Sequence, residues 1–365
     1  MMSNKIKDTL ISKIKSNSNL KKNILKIWDA YHYFMPFILG FITRGLAYFK
    51  HIFQSKVIAK PGTLGFKGGA FNPGALWFSN EILLVAKSQK LPWYKARGKN
   101  RKYYLVGNPV LFLLDKESLK TKESHVIKDC IGYPDDGDLA LEDFRIFQWK
   151  GNLMVNHSFV TKEEVNGFVG QTKVQSALSV LDVENKKIMF QALPALDFPV
   201  QNFEKNWLYQ EHNNQLLLFY SLNPYRVLTL NNEKDFSFKT IINVNIDKLN
   251  NPGGFGTLVS FSTNPIDYDE KYWFVVIHQI HYKKTGRCYY HWGILIDKNS
   301  RLPVKITSKP IFSGMGARGR LPGIRYVSSV LKAENEILFF AGEGDIYVTV
   351  TKKTVEEINS LWVYV

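Results

Sequence analysis

Residues 141–145, Leu-Glu-Asp-Phe-Arg, set two adjacent acids and an arginine at the head of a run that alternates like a β-strand and turns at Lys150-Gly151-Asn152. A strand that seeks burial gains nothing from Glu142, Asp143 and Arg145 at its start. One positioned carboxyl group can move a proton to or from a bridging oxygen. A neighbouring guanidinium can orient that carboxyl or grip a phosphate through two parallel hydrogen bonds. Other segments carry comparable groups: Asn72 in Phe-Asn-Pro-Gly, Glu204-Lys205-Asn206-Trp207, the glycine-rich Gly253-Gly254-Phe255-Gly256, and the basic run from Arg318 through Arg320 to Arg325. His278, His291 and Asp345 lie in or just after apolar runs.

Groups so far apart in sequence act together only if the fold gathers them. After about residue 60 the chain alternates short apolar runs with Gly, Asn, Pro and charged pairs, an all-β texture. Residues 75–88, 145–158, 208–221, 261–279 and 328–345 resemble one another: a strand, a tight polar turn, then an almost wholly apolar strand. Taking Leu83, Leu153, Leu216, Trp273 and Leu338 as equivalent gives spacings of 70, 63, 57 and 65 residues. Five such units predict a five-bladed β-propeller over residues 61–365. A continuous apolar strand suits the middle of a blade, covered on both faces by its neighbours. The residues just before the first strand of each unit then meet at a central cavity, which explains acids and amides at strand starts.

The order Phe-Asn-Pro-Gly (71–74), Glu-Asp-Phe-Arg (142–145), Glu-Lys-Asn-Trp (204–207), Gly-Gly-Phe-Gly (253–256) and Leu-Pro-Gly-Ile-Arg (321–325) resembles the propeller family of glycoside hydrolases and phosphorylases numbered 130, and the related mannosyltransferase-phosphorylases. The resemblance runs over about residues 66–350. It implies inverting transfer of a sugar, usually β-mannosyl, without a metal. Its catalytic acid lies in a Glu-Asp-Pro-Arg stretch, which carries that role to Asp143, and Lys205 and His278 match positions that hold phosphate in phosphorylases. Phe144 replaces the proline, and the family's Ser-Arg-Ile-Gly segment is missing. In its place residues 91–114 are basic and aromatic. Asn72, Glu142, Arg145, Asn206, His291, Arg318, Arg320, Arg325 and Asp345 are expected to contact substrate or donor. At least one of the three distal arginines is expected to bind an anion, and the others to pair between blades.

The formal charge of +16 is uneven: residues 1–60 hold 11 Lys/Arg against Asp8 and Asp29 only. The remainder is close to balanced, so a nucleic-acid groove is not expected. Ile6, Leu10, Ile14 and then Leu20, Ile24, Ile27 recur at near-helical spacing between lysines, which predicts a basic amphipathic helical extension over residues 1–60. The apolar stretch 34–42 is interrupted by Pro36 and Gly40 and is too short to span a membrane. Residues 1–55 are therefore expected to lie on an anionic membrane surface. Cys130 and Cys288 read as free thiols of a reducing compartment, giving a cytoplasmic address at the inner face of the membrane. No nucleotide-binding glycine loop or His/Cys cluster is present, so no cofactor or metal is expected; Asp136-Gly-Asp138 reads as a solvated turn.

Together these features predict an inverting glycosyltransferase. It would move a sugar, mannose by the resemblance, from a sugar nucleotide or sugar 1-phosphate onto a lipid-linked or cell-envelope glycan acceptor. One alternative is a glycoside phosphorylase acting on β-mannosides. Another is a non-catalytic propeller that binds glycan or protein.

Overall fold

In a computed structural model of the protein, the described residues are 54–90, 107–133, 140–165, 168–255, 258–283, 286–314, 317–319 and 323–365. They build an all-β propeller from five mainly antiparallel sheets. The predicted hairpins are present: Phe78 pairs Glu81, Trp149 pairs Asn152, His212 pairs Gln215, and Lys332 pairs Ile337. Leu83, Leu153, Leu216, Trp273 and Leu338 each lie in the second strand of the hairpin in their own sheet.

Those second strands are continuously apolar because each serves two cores. In the strand Glu81–Gln89, Ile82 and Leu84 pack with Leu338 and Phe340 of the last sheet. Leu83 and Val85, pointing the other way, pack with Phe144 and Val155 of the second. The same alternation sends Leu217 and Phe219 toward Trp273 and Val275, and Leu216 and Leu218 toward Phe147 and Met154. Fully burying each such side chain contributes about 1.5–3 kcal/mol, so stability resides between sheets more than within them.

Two expectations need correction. The propeller arrangement has four blades, not the five the repeat predicts, although the sheets number five. The sheet built on Tyr272–Lys283 departs furthest from the blade plan. It has seven strands, and its inner edge is broken around Asn264-Pro265 into Val259–Phe261 and Ile266–Asp267, since proline supplies no ladder donor. The domain boundary also moves: the strand Ser55–Ala59 pairs with Tyr347–Thr354 and completes the last sheet, so the propeller begins before residue 61. The predicted helical extension and membrane-facing arm, apart from that strand, lie outside the described residues, as do Asp136 and Asp138 and most of the basic aromatic stretch. Among the described residues no helix is long and apolar enough to cross a membrane.

Candidate active site

Two of the inner strands bulge just where the functional residues lie. Pairing shifts between Phe71 and Gly74 and between Glu142 and Arg145, leaving Asn72 and Asp143 out of register. Both take left-handed backbone angles, φ 50° at Asn72 and 59° at Asp143, as do Asn206 at 67° and Asp345 at 56°. Asn and Asp accept this conformation best among residues with a side chain. A bulge re-aims the side chain it carries, and here the bulged Asn72 and Asp143, with Asn206 from the loop before Leu208–His212 and Asp345 from the turn after Glu336–Glu343, line one cavity of about 400 Å3. A larger hollow of about 800 Å3, bounded by turn ends of the strands, holds none of the predicted residues.

Asp143 is buried, and its Oδ1 accepts from Asn72 Nδ2 at 2.6 Å. Lys205 Nζ stands 3.7 Å from its Oδ2. Burial opposes the charge of Lys205, but Asp143, with Glu142, outweighs this and holds the ammonium pKa above its usual range. Glu142 lines the cavity too, its Oε2 held 2.8 Å from the buried Lys87 Nζ. His278 turns its Nδ1 to Ser262 Oγ at 2.9 Å and stacks on Tyr289. Burial, then Lys205 and Arg145, push its pKa down to about 3, so it works as a neutral imidazole.

Arg145 does not line the cavity, contrary to expectation. It is buried beneath the site: its Nη1 donates to the Asp143 carbonyl at 2.9 Å, its Nε to the Ser262 carbonyl at 2.8 Å, and its Nη2 to Tyr326 Oη at 2.6 Å and Asn206 Oδ1 at 3.1 Å. One guanidinium thus ties four sheets together under Asp143 and fixes its backbone. His291 is also corrected from substrate contact to structure, being fully buried with its Nε2 accepting from the Val327 amide. Arg325 packs 4.0 Å from the Phe312 ring and donates to Thr351, and Arg318 bonds Glu343 and both oxygens of Ser55. Neither lines the cavity. These arginines neutralise the buried Glu343 and pin the closing strand, because an unpaired buried carboxylate is too costly to keep. Arg320 lies outside the described residues.

Sequence reasoning missed Lys87, Phe203, Arg287, Tyr289 and Tyr326, all in the cavity wall. Lys87 gave one signal, a lone lysine closing the apolar run Ile82–Ala86. Of the tyrosine pair 289–290, Tyr289 lines the cavity and Tyr290 packs on the core cluster around Trp292, since neighbours on a strand point opposite ways. Among the described residues no group of His, Cys, Asp and Glu is arranged to hold a metal. The cavity offers one buried carboxyl with a fixed amide partner, cations for an anion, and amide, imidazole and phenol groups for hydroxyls.

Residues 70–363 match glycoside hydrolase family 130, described as beta-1,4-mannooligosaccharide phosphorylase. Curated sequences give no significant match. Among solved structures, beta-1,2-mannobiose phosphorylase from Listeria innocua is 15% identical with a TM-score of 0.54, covering 84% of this chain and 92% of that one. A glycosyl hydrolase from Bacteroides ovatus is 13% identical with a TM-score of 0.56, covering 83% and 89%. A GDP-Man-dependent mannosyltransferase from Leishmania mexicana is 10% identical with a TM-score of 0.55, covering 78% and 85%. Such identities speak for the fold alone. The family match over most of the propeller goes further: the chain belongs to glycoside hydrolase family 130.

Proposed function

We propose that the protein is an inverting phosphorylase of β-mannosides, with Asp143 as its proton-transfer residue. The observation that carries this reading is the setting of Asp143, a buried carboxyl aimed by Asn72 and 3.7 Å from Lys205, in a cavity that also holds Arg287. In the degradative direction the Asp143 proton passes to the bridging oxygen as its bond to the mannosyl C1 breaks. A phosphate oxygen bonds C1 from the opposite face. The products are mannose 1-phosphate and a glycan one unit shorter with a free hydroxyl; Asp143, now ionised, regains a proton from solvent. Lys205 and Arg287 are the cations available to phosphate, whereas Lys87 is tied to Glu142.

Water as nucleophile needs a second carboxylate base, about 6.5–9.5 Å from the acid in inverting enzymes. Among the described residues of the cavity Glu142 is tied to Lys87 at 2.8 Å, and Asp345 is the one further carboxylate besides Asp143; with Lys205 and Arg287 at hand to hold it, phosphate is the nucleophile we favour. The family description supports the same choice. Sugar-nucleotide transfer, the first expectation from the sequence, keeps the weaker support of a fold shared with the Leishmania enzyme.

The test is product analysis with β-1,4-mannooligosaccharides, with and without inorganic phosphate, and with GDP-mannose. Mannose 1-phosphate that forms only with phosphate is the expected result. Free mannose in phosphate-free buffer would make the protein a hydrolase. Phosphate-independent consumption of GDP-mannose would restore the transferase.

A further inference from the structure

Three of the four most exposed large apolar side chains among the described residues stand on the wall of the catalytic cavity: Phe203 at 59%, Leu258 at 70% and Tyr282 at 65%. Apolar residues scattered singly over a surface need no explanation, but a cluster at a cavity mouth marks a binding surface. The register of the fourth sheet brings the cluster together. His278, Ile280 and Tyr282 alternate along the strand Tyr272–Lys283 and share one face. Leu258 lies beside Ile280, whose amide donates to its carbonyl at 3.4 Å, and on the other side Tyr289 pairs Ile280 and Arg287 pairs Tyr282. All six line the cavity.

This face changes character along its length. His278 is buried, Ile280 half-buried and Tyr282 exposed, so the imidazole lies deep and an apolar shelf lies at the mouth. Phe203, from the segment before Leu208–His212, adds to the shelf; with Leu258 it also walls a neighbouring hollow. Across the cavity the first and second sheets present Asn72, Lys87, Glu142 and Asp143 instead. The ring face of a sugar covers Phe203 or Tyr282, but Leu258 and Ile280 offer its hydroxyls neither donor nor acceptor. A protein or bilayer laid over the shelf would close the mouth by which substrate enters. An aliphatic chain leaving the cavity covers all four side chains and leaves the mouth open around it.

We propose that the shelf binds an aliphatic chain carried by the leaving group, so that the substrate is an amphiphilic β-mannoside. The proposal rests on the reading of the cavity as a β-mannoside phosphorylase site. The bond that breaks and the proton transfer are unchanged; the product that leaves is the chain-bearing sugar with its new hydroxyl.

Mannose 1-phosphate release by the full-length protein is compared for octyl and methyl β-1,4-mannobioside, below the concentration at which the octyl compound forms micelles. The two share the bond that breaks and differ only in the chain. Each methylene fully covered contributes about fourfold in affinity, so covering only about two gives the octyl compound a kcat/KM at least about tenfold higher, carried by KM. Leu258→Asp and Tyr282→Asp each alter a side chain that is mostly in water, and each should bring the ratio close to one. Taken within each variant, the ratio is blind to a general loss of activity. Equal kcat/KM in the unaltered protein, a ratio that survives both substitutions, or a gain that appears only above the micellar concentration overturns the shelf. Equal turnover leaves the phosphorylase reading standing, whereas no mannose 1-phosphate from either compound overturns that reading and the shelf with it.

Discussion

Asn72 performs two separable tasks, and replacing it by glycine and by alanine distinguishes them. Its Nδ2 donates to Asp143 Oδ1 at 2.6 Å, and its backbone holds φ 50°. A hydrogen bond to a charged group contributes about 1.5–3 kcal/mol. If it orients the carboxyl in the transition state, its loss lowers kcat by roughly 10- to 150-fold. Water can enter the cavity and bond Asp143 instead, which favours the lower half of that range. The backbone task is different: a left-handed residue with a β-carbon costs about 1–2 kcal/mol relative to glycine. Asn72→Gly should therefore lose turnover while keeping its stability to urea, and Asn72→Ala should lose similar turnover and be less stable by about 1 kcal/mol or more. Initial rates of mannose 1-phosphate formation and urea unfolding curves measure the two effects. Wild-type kcat in Asn72→Gly would refute the argument and reduce Asn72 to a turn-former.

Asp143→Asn should leave the unfolding midpoint nearly unchanged and lower turnover on the order of 100-fold or more; a modest loss would move the proton-transfer role elsewhere. Gly342→Ala should disturb the same site from the last sheet, because the new β-carbon would lie 2.5 Å from Asn72 Oδ1 and 2.7 Å from the Asn72 backbone nitrogen. The expected cost is about 1–3 kcal/mol of stability with a fall in kcat, and unaltered kinetics would show that Asn72 can shift freely. Burial drives the pKa of His157 down to about 4 and of His278 to about 3, and holds His291 well below 6.5. Each is neutral when folded and takes up a proton more readily when unfolded, so their contribution is complete above pH 6.5 and lost as pH falls toward 4 and 3. The limiting slope is about 1.4 kcal/mol per pH unit for each histidine, and a urea midpoint flat from pH 7 to 5 would contradict it. Deleting residues 1–53 should abolish salt-sensitive binding to anionic vesicles without lowering the unfolding midpoint, as read by co-sedimentation and urea titration. The cut must stop short of Ser55, which receives Arg318.

The sheets were legible because a strand buried on both faces carries an unmistakable continuous apolar run, and the five equivalent positions fall where that reasoning puts them. The loss of regularity at Asn264-Pro265 was not, since a broken inner strand and a turn leave similar traces in sequence. Asn72, Glu142, Asp143, Lys205, Asn206, His278 and Asp345 all reach the cavity. They were readable as polar groups at strand starts or ends, with no structural reason to be there. The arginines misled because charge does not announce its partner: Arg318 and Arg325 answer Glu343, itself hidden in the apolar run 337–343. Lys87 and Tyr289 needed register, which a shift of one residue inverts.

Gly342 and Glu343, at the end of the strand Glu336–Glu343, and Asp345 in the turn that follows connect the last sheet to the cavity. Gly342 leaves room for Asn72, which aims Asp143. Glu343 is buried between Arg318, Arg325 and Thr349, and Arg318 extends from it to Ser55 in the strand that completes the last sheet. Asp345 then enters the cavity wall. A buried ion pair of this kind is weak evidence of stability, because desolvation offsets most of its attraction. What it fixes is register within the last sheet, where Arg325 pairs with Glu343 across neighbouring strands and Arg318 reaches Ser55. At that register Gly342 faces Asn72. The distance between Asn72 and Asp143 is thus set by the packing of Gly342 against Asn72, between the last sheet and the first, as much as by the strand that carries either residue.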